Sequence, residues 1–484
     1  MNFCLPAIFL PLVAAPFLAL FGRPATGAAA NLFLTAIVFV CALGVFEAPG
    51  TGLIAADGLG MIFGLLTAFI ALTTAFGNLA FLRAGEAQLS LSRWRLYHAM
   101  CQIVLGATLL GLYADNIGLL WVALETATIA ATLGVSLTRT ATALEAAWKY
   151  FILGGVGIAL ALFGTMLLYL AAQPALGPGL QALSFSALSH HAGRLDGALL
   201  TLAFVFLLFG YGTKAAIAPL HGWLPDAYAE GPAPLTTIYS GLTLNVALLA
   251  ILRFRHLMQA NAAALGGAMQ PGPFLLSLGL ASLALAAFSL SRRRDARRFF
   301  GFSSIEHSGI AVFAFGIGGA AAIFGGLLHM LLHTLIKSAL FQALIRAAGL
   351  RGGAAPGEFG FARLRGMAAS SPALGWLLGA GVFALSGMPP SGLFVSEFII
   401  VSQTIQRVPA ASLPLGLFLL LCAVAILRKI GPLVFGAPPP GHRALAAGPG
   451  VALIAVNLAL AVLLAFAMPA GFVALLSNLA AGLQ

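Results

Sequence analysis

His329, His333 and Lys337 stand four residues apart in "HMLLHTLIKSALF". On a helix this spacing puts them on one face, successive groups rising about 6 Å. That is too far for a direct hydrogen bond, but one water closes each gap. Imidazole titrates near neutral pH, and an amine removed from water gives up its proton more readily. Such a stripe can pass protons. Four further ionisable residues stand in equally apolar surroundings: Glu125 in "LLWVALETATIA", Lys214 in "FGYGTKAAIAPLHGWLPDAYAEGP", His307 in "FSSIEHSGIA" and Glu397 in "LSGMPPSGLFVSEF". A charge at a bilayer centre costs at least roughly 2.5–3.5 kcal/mol, so an ionisable residue there is a functional candidate. Glu125 and Lys214 have opposite charges. If they meet, each stabilises the other's ion, and a shift of that contact loads or unloads a proton.

Plainer readings stand beside these. An HxxxH pair on a helix is also a zinc pattern, but no third ligand is evident nearby and no metal site is expected. His329 and His333 would equally serve as interhelical hydrogen-bonding residues, and Glu125 with Lys214 as a structural ion pair. Glu306 sits towards a basic loop and reads as belonging to that end. His221, Asp226 and Glu230 either shape the helix behind Lys214 or carry protons. His190 and His191 read as outer-loop residues. The run "RRRDARR" (292–298) reads as a topology anchor, with docking of an acidic partner or anionic lipid as the alternative.

The elements that position these residues follow from composition. The 484 residues are 61% hydrophobic and 8% charged, with mean hydropathy +1.03. Soluble domains are about 25% charged. Continuous apolar runs long enough to span a bilayer recur from end to end, which excludes a soluble globule and argues against a barrel. We read fourteen spans: 2–22, 29–48, 57–82, 95–114, 116–137, 145–172, 197–229, 233–254, 271–291, 298–317, 319–348, 370–404, 412–435 and 449–480. The fold class is all-α polytopic membrane protein.

The first span has no basic residue before it and reads as an uncleaved helix with its N-terminus outside. Alternating the spans from there puts eighteen of the 24 Lys and Arg at cytoplasmic loops and helix ends, four outside, and Lys214 and Lys337 within the membrane. The asymmetry follows the positive-inside rule. It accounts for the net charge of +11 without nucleic acid as a partner. Both termini then face outward, in a bacterial inner membrane. Cys4, Cys41, Cys101 and Cys422 form no CxxC pair, which argues against an iron–sulfur or zinc site.

Two spans are interrupted. The seventh breaks at Pro219 and Pro225, the twelfth at Gly387, Pro389, Pro390 and Gly392. Proline removes a backbone donor, and the freed carbonyls must face protein or a wet cavity. The breaks lie five spans apart. Paired breaks in two halves mark inverted-repeat transporters. We therefore read spans 1–3 as residues 1–94, two inverted five-helix repeats as 95–255 and 256–436, and a last span in 437–484.

"TKAAIAPLHGWLPDAYAEGPAP" resembles the broken seventh helix of the antiporter-like membrane subunits of respiratory complex I and the Mrp cation/proton antiporters. "SSIEHSGI", "HMLLHTLIKSALF" and "GMPPSGLFVSEF" resemble their helices 10, 11 and 12. The likeness covers spans 4 to 13. Residues 116–169 are most similar to the F component of hydrogenase-4-type complexes, membrane-bound group 4 nickel–iron hydrogenases related to formate hydrogenlyase.

The resemblance implies Glu125 and Lys214 as the ion pair of a first half-channel. Lys337, with His329, His333 and His307, carries protons across the middle, and Glu397 is the exit residue of the second half. Lys149 in "AAWKYF" and His221 become accessory groups. Many complex I subunits have a lysine in helix 8, where "LTLNVALLAILRF" has Asn245. Asparagine cannot be protonated, so a link there needs water or another residue.

The function implied is proton translocation in a multi-subunit, redox-driven complex, of the hydrogenase-4 or formate hydrogenlyase kind or the NADH:quinone oxidoreductase kind. The alternatives are a Mrp-type Na+/H+ antiporter subunit and a proton channel serving a non-redox partner such as an inorganic-carbon uptake complex. The chain has no catalytic cofactor site of its own by motif. Partner subunits, antiporter-like and hydrophilic, would hold nickel–iron, iron–sulfur, FMN or quinone groups, and lipid surrounds the assembly.

Overall fold

The computed structural model describes residues 2–83, 89–265, 269–353, 357–440 and 450–484. The helices are α1 (Cys4–Phe21), α2 (Pro24–Gly44), α3 (Gly58–Arg83), α4 (Leu91–Tyr113), α5 (Ile117–Val135), α6 (Ala141–Leu176), α7 (Phe185–His190), α8 (Gly197–Lys214), α9 (Leu224–Glu230) and α10 (Ala233–Leu265). They continue with α11 (Gly272–Leu290), α12 (Ala296–Ile317), α13 (Ala320–Gly349), α14 (Phe361–Leu364), α15 (Met367–Ser370), α16 (Pro372–Leu385), α17 (Gly392–Arg407), α18 (Ser412–Leu427), α19 (Gly450–Phe466) and α20 (Ala470–Gly482). Between α2 and α3, Gly50–Thr51 and Ile54–Ala55 pair as a small antiparallel hairpin.

Among the described residues twelve helices are long and apolar enough to cross a membrane, or thirteen with α19 and α20 as one bent span. That last pair departs from the single helix expected over 449–480. The chain turns by 73° between Phe466 and Ala470, where Pro469 offers no backbone donor to continue the helix.

The helices differ in what surrounds them. Every residue of α12 except Arg298 is buried, as are nearly all of α13. α1 and α2 instead turn Phe9, Phe17 and Phe33 outward, which suits contact with lipid tails as apolar as they are. His307, His329, His333 and Lys337 therefore sit on the innermost helices, away from lipid.

Both expected breaks are present. α8 ends at Lys214 and α9 starts at Leu224. The freed carbonyl of Thr213 accepts a 2.8 Å bond from the Trp223 indole, and the Ala218 amide donates to Ser282 Oγ on α11 at 2.9 Å. Trp223 lies flat on Tyr150, ring centroids 4.1 Å apart. Protein groups thus satisfy backbone that lipid could not. In the second break Gly387 has φ 67°. Ser391 caps α17 by accepting the Phe394 amide at 3.2 Å.

Two arginine assignments change. Arg253 and Arg255, counted among the four outer basic residues at the end of an eighth span over 233–254, are buried within α10, which runs on to Leu265. Arg253 donates to both carboxylate oxygens of Asp57 at 2.8 Å, and Arg255 to the Leu483 carbonyl at 2.6 Å. Paired this way, buried guanidinium groups are tolerated. The second change concerns "RRRDARR". Asp295 caps α12 by accepting the Arg298 amide, and Arg297 is 1% exposed.

Candidate functional site

The second half holds a contiguous polar chain. His307 on α12 faces α13, with its Nδ1 3.0 Å from His329 Nε2, and His329 Nδ1 lies 3.0 Å from Ser396 Oγ on α17. The Ser396 hydroxyl donates to the Leu393 carbonyl at 2.9 Å, so it accepts from His329 Nδ1–H. With both rings neutral, His329 Nε2 is then an acceptor and His307 Nδ1 its donor. That leaves His307 Nε2 as a bare lone pair, and this atom is buried without a partner. One hydroxyl on α17 thereby sets the tautomers of two histidines.

His333 joins the same cluster. Its ring centroid is 4.6 Å from that of His307, closer than the 5.1 Å between His307 and His329. The helical stripe expected on α13 alone is therefore a zigzag. Both α13 histidines reach across to His307. Glu397, half-buried, offers a carboxylate oxygen so that ligand-capable atoms of His307, His329 and Glu397 all lie within 4.8 Å. This is the third donor that sequence spacing alone did not bring near. The direct His307–His329 bond suits proton exchange within the cluster.

Lys337, one turn beyond His333, is fully buried. Its ammonium donates to the Phe300 carbonyl and lies over the rings of Phe300 and Phe341, at 5.2 and 5.9 Å. The cation keeps a hydrogen bond and two aromatic faces in place of water.

The first half is arranged otherwise. Lys214 ends α8 at the break and is 3% exposed. Its Nζ has no hydrogen-bond partner, and neither has the half-buried Glu125 Oε2 on α5. Among the described residues they form no direct ion pair, although Glu125 is near enough to act on the lysine's charge. The ammonium instead lies 5.8 Å from the Tyr150 ring and against Gly154, where a Cβ would be 2.9 Å from Nζ.

Asn245 on α10 reaches α13. Its amide donates to Thr334 Oγ1 on α13 at 2.9 Å. The accessory residues lie further out. His221 is half-buried in the first break, with Nδ1 unpartnered. Lys149 on α6 is exposed and pairs with Glu145 at 2.6 Å and Asp226 at 2.9 Å.

Three residues escaped the sequence reading of the site. Glu306 is 3% exposed, beside Cys422 and within electrostatic range of Lys337 and Glu397. Ten residues into α12 it lies about 15 Å from the helix start, and counting from that start would have placed it in mid-membrane. Ser396 is an ordinary small residue until α17 brings it to His329. Arg297 was hidden in a run of loop-like charges.

Comparison with known proteins gives the family and the fold. A family model for the transmembrane region of NADH:quinone oxidoreductase/Mrp antiporter proteins matches residues 114–426. A hydrogenase-4 component F homolog of Methylacidiphilum infernorum is 48% identical over 385 residues, 79% of each chain. Among solved structures, a chain of the membrane-bound sulfane sulfur reductase, an archaeal respiratory membrane complex, gives a TM-score of 0.85. It covers 99% of this chain and 97% of that one at 21% identity. A chain of the Mrp complex from Dietzia sp. DQ12-45-1b gives 0.82 over the same shares at 18% identity. At such identities these two speak for the fold. The chain belongs to the NADH:quinone oxidoreductase/Mrp antiporter transmembrane family, as an antiporter-like membrane subunit of the complex I, group 4 hydrogenase and Mrp superfamily.

Proposed function

We propose that this chain moves protons across a bacterial inner membrane as one subunit of a multi-subunit redox complex. The relative at 48% identity favours a complex of the hydrogenase-4 type. The observation that supports proton transfer most is the buried chain Ser396–His329–His307, with Lys337 one helical turn beyond His333. Every member is a group that takes or gives a proton, or fixes one that does. On this reading Glu125 and Lys214 form the first half-channel. His307, His329, His333 and Lys337 form the middle, and Glu397 the exit. Asn245 links the halves through Thr334, while Lys149 and His221 tune the cytoplasmic side. We read α16 and α17 as one broken span, with residues 95–255 and 256–436 as the inverted repeats and both termini outside. Partner subunits would supply the redox groups, and their chemistry would shift the charges along the row.

The experiment is affinity purification of the tagged chain in mild detergent, with mass spectrometry of what accompanies it. A nickel–iron hydrogenase module, or complex I-like hydrophilic subunits, is the expected result. Recovery of Mrp-type membrane partners alone, with sodium-dependent proton flux, would overturn the redox assignment.

A further inference from the structure

Arg297 is the most deeply buried arginine of the "RRRDARR" run, and topology does not require that. A charge that sets orientation works from water at the membrane surface. A buried guanidinium costs several kcal/mol unless its donors are matched. Here backbone matches both terminal nitrogens, and Nε alone has no partner. Nη1 donates to the Gly231 carbonyl at 2.7 Å and Nη2 to the Ala229 carbonyl, while the guanidinium lies 4.1 Å over the Phe359 ring. Ala229 and Gly231 are the carboxyl end of α9, where a helix leaves its carbonyls unpaired and a cation is favoured.

Two further contacts join the same elements. Arg298 reaches Asp226 and Glu230, both on α9, at 3.2 Å each. Gly301, one turn on, lies so close to Pro225 that a Cβ would be 2.8 Å from its Cα. The short helix behind Lys214 is thus held along its length to α12, the helix with Glu306 and His307. By contact α9 bridges the two halves, since Asp226 also pairs with Lys149 and Glu230 accepts from Thr142, both on α6.

We propose that Arg297 and Arg298 are positioning residues that couple the two halves. Through α9 they transmit movement between the break at Lys214 and the helix bearing His307. The inference rests on the proton-transfer reading for its purpose, not for its geometry.

Hydrogen–deuterium exchange on the intact complex tests it. Arg297→Lys and Arg298→Gln keep polar side chains of similar reach. Either should speed exchange over 224–231, Arg297→Lys by roughly ten- to hundredfold, the range for losing one charge-assisted hydrogen bond. The second readout is the coupling itself. Glu306→Gln on α12 should change exchange over 215–231 in the parent, and that change should vanish in either arginine variant. A Glu306→Gln effect that is absent from the parent, or equal in all backgrounds, overturns the proposal. If Arg297→Lys does not assemble, Arg298→Gln, whose side chain is 35% exposed, decides alone. Coupled exchange without proton flux would retain the link and remove the transport reading; flux without coupled exchange would do the reverse.

Discussion

The two broken spans begin from the same chemistry, prolines in an apolar helix, and arrive at different sites. At the first, Trp223 and Ser282 satisfy the freed backbone, and the charged groups are left without partners: Lys214 Nζ and Glu125 Oε2 have none. At the second, side chains near the break are already in contact. Ser396 holds His329, His329 holds His307, and the Glu397 carboxylate folds back on Gly387, where a Cβ would be 2.1 Å from Oε2. A proton crossing the first region needs water or movement to reach its next carrier. One crossing the second finds a bonded step ready made, between His307 and His329. On the proposed function, the first break gates and the second conducts.

The largest test of this contrast is to remove each lysine. Lys214→Met and Lys337→Met should both lower proton flux into vesicles by about 10²-fold or more, the usual worth of a positioned proton carrier. Their effects on thermal stability should differ. Lys214 has no hydrogen-bond partner to lose, so its removal relieves an unpaired buried amine and leaves the melting temperature equal or higher. Lys337 gives up the Phe300 carbonyl and two aromatic faces, so its removal should lower it. Equal melting shifts would break the comparison.

Glycines sharpen it next. Gly387→Ala adds a side chain at φ 67°, costing roughly 1–2 kcal/mol, and displaces the Glu397 carboxylate. Flux and stability should both fall. Gly154→Ala crowds the far end of Lys214 and Thr128 Cγ2, at 2.9 and 3.2 Å, and meets Tyr150 at an ordinary 3.6 Å. The amine can swing away, so flux should change several-fold while the complex melts within about 0.5 kcal/mol of the parent, as a well-tolerated substitution does. Gly155, with nothing within 4 Å of its Cβ position, is the control and should change neither. The readouts are a pH-sensitive dye in vesicles and a thermal melt of the purified complex.

These differences also show what could be read from sequence. The residues of α13 were legible because i, i+4, i+8 spacing on an apolar helix has one geometry. So were both breaks, because proline in a span has few physical outcomes. The zigzag through His307 was not legible, since no spacing rule states which face α12 turns to α13. Asp226 and Arg298, 72 residues apart, meet through tertiary packing alone. The bend before Pro469 was missed because an apolar run of 449–480 reads as one span when its proline is given too little weight.

Ser396→Ala is the smallest change and asks the most specific question. The hydroxyl donates to Leu393 and accepts from His329, so its loss costs two ordinary hydrogen bonds, together about 2 kcal/mol. A role confined to packing would appear in the melt and nowhere else. If Ser396 sets the tautomer of His329, its loss also lets His329 present N–H instead of a lone pair to His307. The two rings then cannot keep their donor–acceptor order, and flux should fall a few-fold. Ser396→Thr keeps the hydroxyl and should restore both flux and the parent's pH profile, whereas Ser396→Cys, a weaker donor and acceptor of similar size, should not. Full flux in the alanine variant would mean that the order of the histidine chain is fixed from its other end, by water at His307 Nε2, and the second break would then resemble the first.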